Sequence, residues 1–115
     1  MVITSDQCSR RKTNVSAGNG LIELKELSTK EQMYDHCRLF AHVTIQPGNS
    51  IGIHSHNDET EFYYILKGYP TFYDNGTNVT LNPGDCTMTG FGDSHGLINN
   101  TDEPVEMIAL IPTKD

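Results

Sequence analysis

Gly48-Asn-Ser-Ile-Gly-Ile-His54-Ser-His56-Asn-Asp-Glu-Thr-Glu61-Phe-Tyr-Tyr-Ile-Leu-Lys-Gly68 is the most informative stretch of the chain. Ile51 to His56 is a short run closed by the turn-rich Asn57-Asp58-Glu59. Phe62-Tyr63-Tyr64-Ile65-Leu66 is aromatic and β-branched, the composition of a strand. Upstream, Leu39, Ala41, Val43 and Ile45 alternate with Phe40, His42 and Thr44, a period of two that ends at Pro47-Gly48.

Downstream, Asp74-Asn75-Gly76 separates Tyr69–Tyr73 from Val79–Leu81, and Asn-Gly between short strands signals a hairpin. Asn82-Pro83-Gly84-Asp85 is a further turn. Cys86–Thr89, His95–Asn99 and Val105–Ile111 supply more strands. Turn signals about every 8–12 residues predict an all-β sandwich or barrel. No long helical segment lies between the strands, which excludes a parallel α/β fold. Leu21–Leu27 fits strand and helix equally, and Ser28 three residues before Glu31 has the spacing of a capping box for a short helix.

The chain of 115 residues is one domain's worth of sequence. Residues 1–19 are polar and are expected to form a flexible N-terminal arm, with a single domain over 20–115. Eight basic against 15 acidic residues give a net charge of −7, which disfavours nucleic acid as a partner. The basic triplet Arg10-Arg11-Lys12 reads as a solvated tail. No stretch approaches the ~20 apolar residues of a membrane span. The start has no basic segment followed by an apolar run, so the expected compartment is the cytoplasm. Cys8, Cys37 and Cys86 are widely spaced and odd in number, which favours free thiols.

His54 and His56 stand two apart, and on a strand that puts both imidazoles on one face. A turn at 57–59 returns the chain and aims Glu61 at the same point, with His95 the candidate for a fourth ligand. Three imidazoles and one carboxylate suit a first-row divalent metal: Mn, Fe, Ni, Cu or Zn. The absence of a thiolate argues against a closed structural zinc centre. Four protein ligands leave about two octahedral positions for a substrate or dioxygen.

These spacings resemble the cupin superfamily. Gly48, His54, His56, Glu61 and Gly68 fill every fixed position of its first motif. Gly84, Gly92, His95 and Asn99 match the second, which departs only where Gly90 replaces the usual Pro. The resemblance covers about residues 39–111. It implies a double-stranded β-helix, or jelly roll, and the segment from Arg38 onward looks like the small manganese cupins related to oxalate decarboxylase. By that likeness the metal is manganese first, and the activity is decarboxylation of a small carboxylic acid. Alternatives are a sugar or uronate isomerase, a dioxygenase, or a non-catalytic small-molecule binding module. Oxalate decarboxylases carry a carboxylate-clamping Arg three positions before the first metal His. That position is Ile51 here, so either Arg38 replaces it from another strand or the substrate lacks that second charge.

Other residues receive expectations from strand parity. Tyr63 shares a face with Glu61 and is a candidate catalytic residue through its hydroxyl. His42 is a second candidate, as a proton shuttle. Asp58 or Glu59 is placed to accept an imidazole N–H. Met88 and Met107 are candidate pocket walls. Phe62, Tyr64 and Leu66 then face outward, and their need of a cover predicts a homodimer, with Gly20–Leu27 crossing over. Loops 57–60 and 90–94 are candidate lids.

Overall fold

The computed structural model describes residues 1–114. Its strands are β1 (Ser9–Thr13), β2 (Ile22–Glu26), β3 (Cys37–Ile45), β4 (Ser50–Ser55), β5 (Glu61–Lys67), β6 (Thr71–Asp74), β7 (Thr77–Thr80), β8 (Cys86–Thr89), β9 (Ser94–Ile98) and β10 (Val105–Pro112). They form a six-stranded sheet, order β1-β2-β3-β10-β5-β8, and a four-stranded sheet, order β4-β9-β6-β7. Every pairing is antiparallel. This is the expected all-β jelly roll.

Facing residues of an antiparallel ladder lie on the same side of the sheet. The register therefore draws inner rows across the large sheet. One runs Arg11–Leu24–Val43–Met107–Ile65, and a neighbouring row runs Ser9–Glu26–Ala41–Ala109–Tyr63–Thr87. The central members of both rows are buried. Each fully buried Val, Ile or Met side chain contributes about 1.5–3 kcal/mol. Ile51, Phe72 and Leu97 close the core from the small sheet.

The Asn75-Gly76 hairpin joins β6 to β7 with Asp74 opposite Thr77, and both turn residues have positive φ, 46° and 101°, as a primed turn requires. The capping box sits one residue later than its sequence signal. Thr29 and Gln32 exchange backbone-to-side-chain bonds of 3.0 and 3.1 Å at the short 3-10 turn Glu31–Met33.

The N-terminal segment differs from a free arm. Ser9–Thr13 pairs along its full length with β2, and β2 pairs with β3 of the same chain, so Gly20–Leu27 lies within its own sheet. Between β1 and β2 the chain docks on β4. Gly52 donates its N–H to the Val15 carbonyl at 3.0 Å, and Ser50 donates to Asn19 at 2.9 Å.

Candidate metal centre

His54 and His95 are cross-strand partners on β4 and β9. Ile51 pairs with Leu97 three residues earlier on β4 but only two away on β9, so β4 holds one extra residue. Strict alternation from buried Ile51 would turn His54 outward. The bulge reverses that, exposing Ile53 (60%) and turning His54 into the barrel. Gly52 lies within the bulge, and a Cβ there would collide with the carbonyl of Ser16 in the loop packed on it. His56 follows β4, and Glu61 begins β5 on the inner face of the opposite sheet.

The structure brings His54, His56, Glu61 and His95 together, with one donor atom of each within 4.8 Å of all the others. His56 Nε2 and His95 Nε2 each lie 2.9 Å from Glu61 Oε1, and His54 Nε2 lies 3.9 Å away. The Nε2 atom of His95 is 3.1 Å from that of His56 and 3.1 Å from that of His54. His56, Glu61 and His95 are buried, and His54 is partly open to the cavity.

The outer nitrogens explain why three Nε2 atoms converge. His54 Nδ1 lies 2.7 Å from the Gly52 carbonyl, which only accepts, so its proton is on Nδ1. His56 Nδ1 lies 2.9 Å from Glu59 Oε1, and His95 Nδ1 lies 2.8 Å from Thr89 Oγ1. With the Nδ1 atoms engaged on the outside, the three Nε2 atoms turn toward one another and toward Glu61, where His56 and His95 meet Oε1 at 2.9 Å in the metal-free protein. Three imidazoles and a carboxylate fit a first-row divalent ion.

Charges around the cluster follow from these contacts. Burial pushes the Glu61 carboxyl up, but the imidazole of His54 at 3.9 Å and the hydrogen bonds from His56 and His95 outweigh it and hold the group well below the carboxylate range. The hydrogen bond to Glu61 raises the His56 imidazole, against the opposing effect of burial and with help from Glu59. Glu59 itself is held low, first by Arg38 and then by His56. Arg38 grips it with Nε and Nη2 at 3.0 and 2.8 Å, giving a continuous chain Arg38–Glu59–His56. Glu59, and not Asp58, is therefore the acceptor for an imidazole N–H.

Tyr63 reaches the group. Its hydroxyl donates to Glu61 Oε1 at 3.3 Å, and its ring stacks on His95 at 5.2 Å and 12°. Burial, then the nearby Glu61 charge, push its phenol well above the usual value. His42 is not brought to the site. Its buried neighbours Ala41 and Val43 point inward, so His42 points outward and meets Glu106 at 3.0 Å. Met107 is fully buried and lines the cavity, whereas Met88 points outward and is 62% exposed.

The cavity over the cluster has a volume of about 590 Å³. Ile51 forms an apolar wall there, in place of a cation. Arg38 lines the cavity but is engaged by Glu59. Three contributors escape sequence reasoning. Thr89 is identifiable only as the partner of Glu61 on β8, the Gly52 carbonyl only through the bulge, and Arg11 only through the register of β1.

Comparison with known proteins agrees with this architecture. A model of the cupin domain matches residues 41–111. The oxalate-binding protein of Thermotoga maritima is 39% identical over 112 residues, 96% of this chain and 93% of that protein. A crystal structure of a predicted oxalate decarboxylase from Thermotoga maritima superposes with a TM-score of 0.93 at 37% identity, covering 98% of this chain and 99% of that one. A sugar phosphate isomerase of the cupin superfamily from Silicibacter pomeroyi shares the fold at a TM-score of 0.80 and 20% identity, over 99% of this chain and 76% of that one. With a converged histidine–glutamate cluster inside an antiparallel jelly roll and a family match over most of its length, the chain belongs to the cupin family.

Proposed function

We propose that this cupin holds one divalent transition metal, manganese first, on His54, His56, Glu61 and His95. It uses the ion to bind a small carboxylate of the oxalate class and to promote its decarboxylation. The observation that carries the reading is the convergence of three Nε2 atoms and Glu61 Oε1 with every outer nitrogen already engaged. The bound metal supplies a Lewis acid and a template for the ligand carboxylate. The name of the 39% identical relative, an oxalate-binding protein, supports the ligand class.

The chain's own residues give the ligand its environment. Ile51 and Met107 make an apolar wall that limits water. Tyr63, held protonated by burial and by Glu61, points its hydroxyl to Glu61 Oε1 at 3.3 Å and would offer a hydrogen bond to a ligand oxygen there.

Binding without turnover is the second reading. It is favoured by the state of the two cavity carboxylates: Glu61 belongs to the ligand set, and Glu59 is locked between Arg38 and His56, so neither is a free base. Incubation of metal-loaded protein with oxalate separates the readings. Formate and carbon dioxide in equal amounts support decarboxylation, whereas saturable binding with no product supports the binding module.

We also propose a homodimer through the outer face of the large sheet. Tyr64, Leu66 and Met88 are 47%, 44% and 62% exposed there. Light scattering tests it: twice the chain mass at micromolar concentration is expected, and a monomer contradicts it.

A further inference from the structure

The basic triplet of the N-terminus has a place in this site. Strand alternation divides it. Arg10 faces away from the cavity and binds the Ser5 carbonyl at 2.9 Å. Arg11 lies opposite Leu24 and so extends the inner row Leu24–Val43–Met107–Ile65. Its side chain lines the same cavity as His54, His56 and Glu61, beside Thr13, Asn14 and Ser16.

Arg38 and Arg11 are the two cationic side chains among the lining residues, and they differ in commitment. Arg38 makes two short bonds to Glu59 and holds His56 through it. Arg11 meets Glu26 at 3.7 Å, beyond hydrogen-bond reach, and remains 58% exposed. An exposed pair of that length contributes little to stability. Arg11 is thus a guanidinium fork lining the cavity, and its ion-pair partner Glu26 leaves it without a short hydrogen bond.

Arg11 and the metal ligands reach the cavity from well-separated strands. Glu61 on β5 and Arg11 on β1 are four interstrand steps apart, ~19 Å measured along the sheet at ~4.8 Å per step. Oxalate, with its carboxylates directly joined, would present both to one centre and leave neither for Arg11. The cavity of about 590 Å³ is also far larger than oxalate requires.

We infer that Arg11 is a specificity-determining residue. It clamps the distal carboxylate of a dicarboxylate longer than oxalate whose proximal carboxylate sits at the His54/His56/Glu61/His95 centre. This deepens the proposed function and rests on that reading of the metal site. The neighbouring Asn14 side chain already holds the Gly18 and Gly20 carbonyls at 2.8 and 3.0 Å, which fixes the loop beside the clamp.

Calorimetric titration of manganese-loaded protein with oxalate, glutarate and butyrate tests the inference. Wild-type protein is expected to bind glutarate at least tenfold more tightly than butyrate. Arg11→Gln removes that preference and leaves metal content and the affinities for oxalate and butyrate unchanged, while Arg11→Lys retains part of it. No glutarate preference in the wild type, unchanged glutarate affinity in Arg11→Gln, or an equal loss for all three acids overturns the assignment. Metal-free protein provides the separate control. If it binds glutarate and butyrate as tightly as loaded protein does, the metal-centred function fails, and the Arg11 comparison then reads on a metal-independent site and overturns the two-ended model as well.

Discussion

The Gly52 carbonyl accepts the Nδ1–H of His54 at 2.7 Å, so a residue inside the β4 bulge also fixes the tautomer of the first ligand. The same glycine donates its N–H to Val15 and leaves room for the Ser16 carbonyl. The N-terminal loop, the bulge and the metal centre are therefore one mechanical unit. Gly52→Ala forces the Ser16 loop or the bulge to move. Its expected effect is a loss of metal affinity of at least tenfold with the β-rich circular dichroism spectrum retained. Wild-type affinity in this variant would show that the bulge does not depend on the close approach.

Glu59 positions His56 from outside the cluster. Removing such an acceptor costs about 10–100-fold in metal affinity. Glu59→Ala is expected to fall in that range in a competition assay with a metal-binding dye, although Glu59 is not itself a ligand. An unchanged dissociation constant would assign the Arg38–Glu59 pair to the surface alone.

Acid and base act on different groups of the metal-free protein. The folded-state pKa values of Glu59 and Glu61 are depressed, so their stabilisation is present above the ordinary 4.5 and is lost as pH falls through the folded values. His56 is raised, so its contribution is complete below the ordinary 6.5 and disappears as pH climbs through its folded value. Thermal melting of metal-free protein should peak between these limits and decline on both sides. Metal binding must displace the His56 proton, so affinity should rise with pH through the same range and proton release should accompany calorimetric titration. A melting temperature flat from pH 4 to 8 would contradict these assignments.

Thr87 carries a buried hydroxyl without a hydrogen-bond partner among the described residues. An unsatisfied buried polar group is destabilising, and an apolar replacement of the same shape relieves it. Thr87→Val is expected to gain about 1 kcal/mol in denaturant unfolding. A loss of stability would reveal a partner for the hydroxyl.

The barrel is legible in the sequence because its strands are short, alternate cleanly and are bounded by Gly, Pro and Asn. The four clustered residues are legible because their spacing survives in one dimension. What escapes is whatever depends on pairing. A period of two carried from Ile51 points His54 outward, and only the pairing with β9 reveals the extra residue. Ser9–Thr13 is polar and almost wholly exposed, so it resembles a tail until its ladder with β2 is seen. The parity that separates His42 from Ala41 and Val43 is correct, but the aliphatic row takes the interior, and that sends His42 to Glu106.

Elemental mass spectrometry of purified protein, as isolated and after incubation with manganese, iron, nickel, copper and zinc, followed by desalting, tests the metal centre most directly. One divalent ion per chain is expected, with the ion absent from a His95→Ala variant that still folds. Protein that remains empty through every incubation, or a His95→Ala variant that holds the full equivalent, would contradict the account.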